Sequence, residues 1–211
     1  MTTATAKDKA LDEALCDVRK AYRLVWLYQR RVLDIAKVVA DEFDGHEFRW
    51  WSPAWFDPPG QRTKDLTTKW APDLIPAYHF SLLYLPGDAT PKPKPGDWML
   101  EINFKADSGY LELESEEGDP TKFEAPERCT STMGLYAWAC TSSKVSDWYW
   151  SVWNVLEWPD DVFKEYKKEG IKVVGQTTSL ATIPTKDAIV RDVDTFKALC
   201  RKKLGSAFQI A

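Results

Sequence analysis

An α+β fold follows from three observations: a long N-terminal helix packed on a mostly antiparallel sheet of five to seven strands, with two short helices near the C-terminus. Apolar residues recur in steps of four and three over the first forty positions. The period drops to two between residues 76 and 157, and helix signals return after Pro159. Strands in the middle and helices at the ends predict segregated layers rather than an alternating parallel sheet. With 211 residues and 44% apolar content the chain has enough material for one substantial core. The expectation is a single domain over 1–211. It comprises a helix at 8–44, a sheet region at 46–157 and a helix-strand-helix region at 159–205.

The first helix is read from Leu11, Leu15, Val18, Tyr22, Val25, Gln29, Val32, Ala36, Val39 and Phe43. This is an a/d stripe of the coiled-coil kind, broken only at Gln29. Gly45 supplies the stop. Some 33 residues at about 1.5 Å each make a rod of roughly 50 Å. Packing on the protein's own sheet is the first expectation for it, and pairing with a second helix in a homodimer the other.

The stretch from His46 to Gly60 carries Trp50, Trp51, Trp55 and Phe56 among Pro53, Pro58 and Pro59. Proline excludes a regular helix or central strand there, so a long loop is expected, with a short strand at 47–51. Alternation at Tyr78, Phe80, Leu82 and Tyr84 marks a strand at 76–85. Trp98, Leu100, Ile102 and Phe104 alternate with Met99, Glu101, Asn103 and Lys105, and a turn at 106–109 leads to Tyr110–Glu114. That pattern predicts a hairpin with one apolar and one solvated face. Strands are expected at 133–141 and 147–157. A helix over 159–170 is read from Pro159 and acids at its start and Gly170 at its end. A strand at 171–175, another near 180–184 and a helix from Asp192 to Leu204 complete the series.

Net charge is −4, from 28 basic and 32 acidic residues, which argues against a general nucleic-acid footprint. Between Asp97 and Arg128 ten acids face three bases, a local net of −7. Four cysteines, widely spaced and without neighbouring histidines, fit neither a zinc site nor a disulfide framework. The expected setting is cytoplasmic, with free thiols, no membrane span, no cofactor and no resident metal.

Eleven tryptophans are the most unusual feature, ten of them after residue 49. Indoles anchor protein interfaces, and acidic rims steer basic partners. The sequence therefore predicts a non-enzymatic interaction protein, of the inhibitor, immunity-like or accessory-subunit kind. Its protein partner would meet anchors at Trp50, Trp51, Trp55, Trp148 and Trp150 and a rim at Glu112, Glu114, Glu116 and Glu117. Trp26, Trp98 and Trp153 are assigned to apolar faces.

Other chemistries fit less well. A metal-dependent nuclease would use Glu101, Glu112 and Glu114, but Glu stands where such a site requires lysine. Single-stranded nucleic acid would stack on the Trp50–Trp70 segment, where Arg49, Arg62, Lys64 and Lys69 supply charge. A sugar platform would need Trp148, Trp150 and Trp153 on one face. His46 and His79 have no nucleophile motif beside them.

Overall fold

The computed structural model describes residues 6–54, 77–88, 92–109, 124–205 and 208, with side chains from residue 9 onward. Helix α1 (Ala6–Asp41) leads into β1 (His46–Pro53), β2 (His79–Pro86), β3 (Trp98–Lys105) and β4 (Thr132–Cys140). A π-type turn at Tyr149–Trp153 follows, then β5 (Phe163–Tyr166), β6 (Ile171–Ser179) and helix α2 (Lys186–Leu204). The six strands form one sheet in the order β1-β2-β3-β4-β6-β5, and every neighbouring pair is antiparallel. The α+β architecture is as the sequence predicts, with one C-terminal helix rather than two.

Period-two alternation separates the two faces of the sheet. On one face Phe80, Leu82, Leu100, Ile102, Phe104, Met133, Leu135, Ala137 and Val174 meet the helices. Helix α1 contributes Val32, Ile35, Ala36 and Val39, with Phe43 just beyond it; α2 contributes Ile189, Val193, Phe196, Cys200 and Leu204. Phe43 stands edge-on to both Trp98 and Phe196, joining the two helices to the sheet. Arg31 donates to the carbonyls of Ile183 and Pro184 at 3.2 and 2.9 Å, which fixes α1 to the entry of α2. At the end of α1, Gly45 takes a φ of +79°, the left-handed conformation that glycine adopts without a Cβ penalty.

The opposite face is also dry. Leu83, Leu85, Met99, Trp138, Cys140, Ile171 and Val173 are covered by Val145, Trp148 and Val152 from the segment between β4 and β5. This overturns the expected solvated side of the sheet, because β3 is buried along seven of its eight residues.

Four further expectations are corrected. Strand β3 has β2 on one edge and β4 on the other, where the sequence led us to expect the next strand of a hairpin; residues 110–114, on which that expectation falls, lie outside the described residues. Residues 147–157 are not a strand. Asp147 Oδ1 accepts from the backbone N–H groups of Tyr149 and Trp150 at 2.8 and 2.7 Å. The chain then closes i→i−5 bonds from Trp153 to Trp148 and from Asn154 to Tyr149. Residues 159–170 are no helix but the short edge strand β5 and a turn, which the β-compatible Phe163 and Tyr166 favour once β6 offers its free edge. Residues 180–182 form a 3₁₀ turn rather than a strand.

Helix α2 begins earlier than Asp192, because Ile189 extends its buried stripe and Thr185 caps it, accepting from the Ala188 N–H. Asp192 instead docks the helix on β6: its carbonyl accepts from Gln176 and its carboxylate from Thr178. Arg201, Lys202 and Lys203 in the last turn complement the helix dipole. Among the described residues no helix is long and apolar enough to cross a membrane.

Candidate functional site

Two features stand out from this frame: a buried polar node on the second face of the sheet, and an apolar surface along α1 and β1. The node is built by register. Ser81 and Asn103 are paired across β2 and β3, and Glu101 lies opposite Tyr136 of β4, two positions diagonal from Trp138. All four polar side chains at its heart, His79, Ser81, Glu101 and Asn103, are buried.

Glu101 is fully buried, yet each of its oxygens is met by donors. Ser81 Oγ donates to Oε1 at 2.6 Å and Trp153 Nε1 to the same oxygen at 2.9 Å. Trp138 Nε1 donates to Oε2 at 2.7 Å, and Trp158 Nε1 lies 3.2 Å from both. Behind Ser81, Asn103 Nδ2 donates to its hydroxyl at 2.9 Å, and the Asn103 amide also lies within hydrogen-bond reach of His79 Nε2. Tyr136 and His79 flank the Trp158 ring at 6.0 and 5.7 Å.

Burial lifts the Glu101 carboxyl above the ordinary carboxylate range, while the four donated hydrogen bonds pull it back. His79 falls to about 3, chiefly because burial penalises the imidazolium and further because Lys105 lies near. It is therefore neutral around pH 7.

The tight approach of Tyr136 depends on two glycines. A Cβ at Gly134, two residues before it on β4, would lie 2.6 Å from the Tyr136 ring and one at Gly175, opposite it on β6, 2.8 Å, so the ring has room only because both positions lack a side chain. Outside the node, Trp153, Leu156, Trp158 and Pro159 line an open cavity of about 550 Å³ together with Glu157 and Asp160.

The chemistry of this node is that of a strut. Its carboxylate is saturated by donors, and no basic side chain forms an ion pair with it among the described residues. Glu101 is thus not placed as a metal ligand, and no group of three His, Cys, Asp or Glu among the described residues is arranged to hold a metal ion. Glu112 and Glu114 lie outside the described residues, as do Glu116, Glu117 and Trp55. What the node does is fix the 148–158 segment: Trp153 and Trp158 are tied to the carboxylate, and the π turn between Trp148 and Trp153 is held at both ends.

The anchors expected from sequence separate accordingly. Trp148 is buried and belongs to the core, so it is corrected from anchor to packing residue. Trp148 and Trp150 do not share a face, because the π turn sends the first inward and the second out to 69% exposure. Trp50 is half-buried, edge-on to Tyr149 at 5.8 Å. Trp51 stays exposed on the helix side of β1. Trp153, expected on a plain apolar face, is a Glu101 donor, and Trp26, expected to be packed, is 56% exposed. The signal for the node was available in one respect: Glu101 stands between Leu100 and Ile102 in an otherwise dry strand, and buried indoles require acceptors.

The second feature runs along α1. Leu11, Leu15, Val18, Tyr22 and Val25 are exposed, whereas the same stripe at Val32, Ala36 and Val39 is buried against the sheet. Beside it, Trp26 and Leu33 lie seven residues apart on one side of the helix, and Leu33 meets Trp51 across a shallow apolar groove of about 280 Å³. Gln29, Val32, Phe80 and Leu82 complete that groove. Phe48, also on β1, is exposed and stands edge-on to Tyr84, its partner in register on β2.

Comparisons with known proteins agree on one relationship. The chain is 26% identical over 205 residues to a protein of Pasteurella multocida (strain Pm70) described as uncharacterized protein PM0109, covering 92% of this chain and 96% of that one. No solved structure matches it. The model of the PM0109 family matches residues 8–205, from the first turns of α1 to the end of α2, and the chain belongs to that family.

Proposed function

We propose that the protein is a non-catalytic interaction protein, an inhibitor, immunity-like or accessory subunit, that binds a protein partner through the apolar flank of α1 and β1. The observation that carries this reading is the pair Leu33 and Trp51, each about half accessible, at a groove whose floor is the core residues Val32, Phe80 and Leu82, with the equally exposed Trp26 and Phe48 on the same two elements. Exposed apolar patches of this kind mark interaction sites, and an indole beside a preformed groove is the usual geometry of a hot spot. The ligand class is an apolar protein segment, with Trp51 and Leu33 as the walls that receive it. The acids at 112–117 supply a rim for a basic partner in this reading. Four free cysteines, two of them buried, fit a reducing cytoplasmic setting.

Wild-type protein and a Leu33→Asp/Trp51→Asp variant used as baits in native extract test the reading. A partner retained in stoichiometric amount by the wild type, absent from the variant and rebound when purified supports it. If the two baits retain the same proteins, the reading falls.

A further inference from the structure

The outer half of α1 carries a seam with no partner in its own chain. Placing Val32 and Val39 at d and Ala36 at a, as their burial on the sheet requires, puts Leu11, Val18 and Val25 at d and Leu15 and Tyr22 at a. All five are exposed, and so is every described residue on both sides of them up to Leu27 except the half-buried Cys16. Helix α1 first meets the body at Tyr28, which packs on the core. The seam residues on the helix therefore outrun the sheet by about four turns.

We infer that this seam pairs with a second copy of itself in an antiparallel two-helix coil, with Asp12 of each chain beside Arg19 of the other. The inference rests on reading the protein as a binding module, and it names the occupant of a different surface from the Trp51 groove. Charge along the helix favours the antiparallel sense. Asp12, Glu13 and Asp17 are followed by Arg19, Lys20 and Arg23, so a copy laid head to tail meets acid with base, whereas a parallel copy would set like blocks at the same height.

The register follows from two separate observations. Antiparallel coils stack a against d and bring e against e and g against g. Stacking Leu15 on Val18 and Leu11 on Tyr22 places Asp12 and Arg19, both at e, against each other twice, and sets the small Ala14 and Ala21, both at g, together on the other side. Within one chain Arg19 and Asp12 already lie on the same side of the helix, 3.8 Å apart, so both are turned toward that flank.

A shift by one heptad away from the body would oppose Asp12 to its own copy, and a shift by one heptad toward the body would oppose Arg19 to its own copy. The latter would also run the start of the second helix to Asp34, where Ile35 is buried on the sheet. The chosen register instead sets Ala6 of one chain opposite Leu27 of the other, so the pair ends one residue before α1 enters the body. Length, charge and steric limit select the same alignment.

Sedimentation and light scattering over a range of concentration read the outcome. Wild type is expected to reach dimer mass. Asp12→Arg and Arg19→Asp, both at exposed positions, are each expected to weaken dimerisation by about tenfold or more, since each turns two attractive e-to-e pairs repulsive. Mixed in equal amounts, the two variants restore complementary pairs only between chains, and the dimer returns. A wild type that stays monomeric overturns the inference, as does a dimer indifferent to both substitutions or a mixture that fails to recover. A monomer that still captures a partner through Trp51 and Leu33 overturns self-pairing while leaving the proposed function in place. A dimer that survives Leu33→Asp/Trp51→Asp supports self-pairing whatever becomes of that function.

Discussion

Trp138 Nε1 donates to Glu101 Oε2 at 2.7 Å from the neighbouring strand, so the one fully buried carboxylate of the described chain is bound to the sheet before any loop residue reaches it. Trp153 and Trp158 then attach the covering segment to that same group. Glu101→Gln keeps the shape but turns an NH₂ donor toward indole N–H groups. It is expected to cost about 2–4 kcal/mol, because buried donors are left facing a donor. Urea unfolding followed by tryptophan fluorescence measures this, and an unchanged midpoint would refute it.

Trp158→Phe removes one donor and keeps most of the ring. A loss of about 1.5–3 kcal/mol is expected, the range for a hydrogen bond to a charged group. Hydrogen exchange should rise in 145–158 while the amides of β3 stay protected. Equal loosening on the helix side of the sheet would contradict the division of the core into two faces.

Acid should destabilise the protein through His79. Its pKa is lowered on folding, from the ordinary 6.5 to about 3, so the stability linked to the neutral ring is complete above pH 6.5 and is lost as pH falls toward 3. At pH 4.5 the linkage amounts to about 2–3 kcal/mol. Glu101, raised on folding, acts in the opposite sense, its contribution declining as pH rises through its elevated pKa. Unfolding free energies at pH 7 and 4.5 for wild type and His79→Gln isolate the histidine: the variant should show the smaller drop.

Gly134→Ala and Gly175→Ala should each destabilise by about 1–3 kcal/mol, the usual cost of overpacking, since each new methyl group meets the Tyr136 ring below 3 Å. Tyr136→Leu in the same chain relieves the clash, so the double variants should lose less than the sum of the single ones. Additive losses would mean that the ring is not the obstacle.

Truncating the chain before Ala21 removes the described positions 9–20, which are exposed apart from the half-buried Cys16, so at a concentration low enough to keep the wild type monomeric the unfolding free energy and its cooperativity should be retained to within about 0.5 kcal/mol. Calorimetry on the shortened chain provides the measurement.

The strands at Phe80–Tyr84 and Trp98–Phe104 were legible because period two survives even where both faces are buried. The polar-looking residues of β3 misled for a physical reason: Glu101 and Asn103 are not solvated but hydrogen-bonded within the protein, and sequence alternation does not distinguish the two cases. The 147–157 stretch has strand composition, and only the Asp147 cap and the bonds to Glu101 convert it to a π turn. At 159–170 helix-end signals were present, but pairing with β6 outweighed them. On α1 the stripe was read along its full length, and what was not visible was where the sheet would end beneath it.

The strand order carries a consequence for how the chain reaches this state. Strands β1 to β4 lie side by side in chain order, but β6 must reach β4 across the whole of 141–170. Trp148, Trp153 and Trp158 are contained in that span, so closing it is what delivers their rings to the sheet. Until then Glu101 has only Ser81 and Trp138 beside it and lies open to water on its outer side. The carboxylate's passage into the dry interior is therefore expected to come late in folding, after the β1–β4 meander and with the longest loop closure in the sheet.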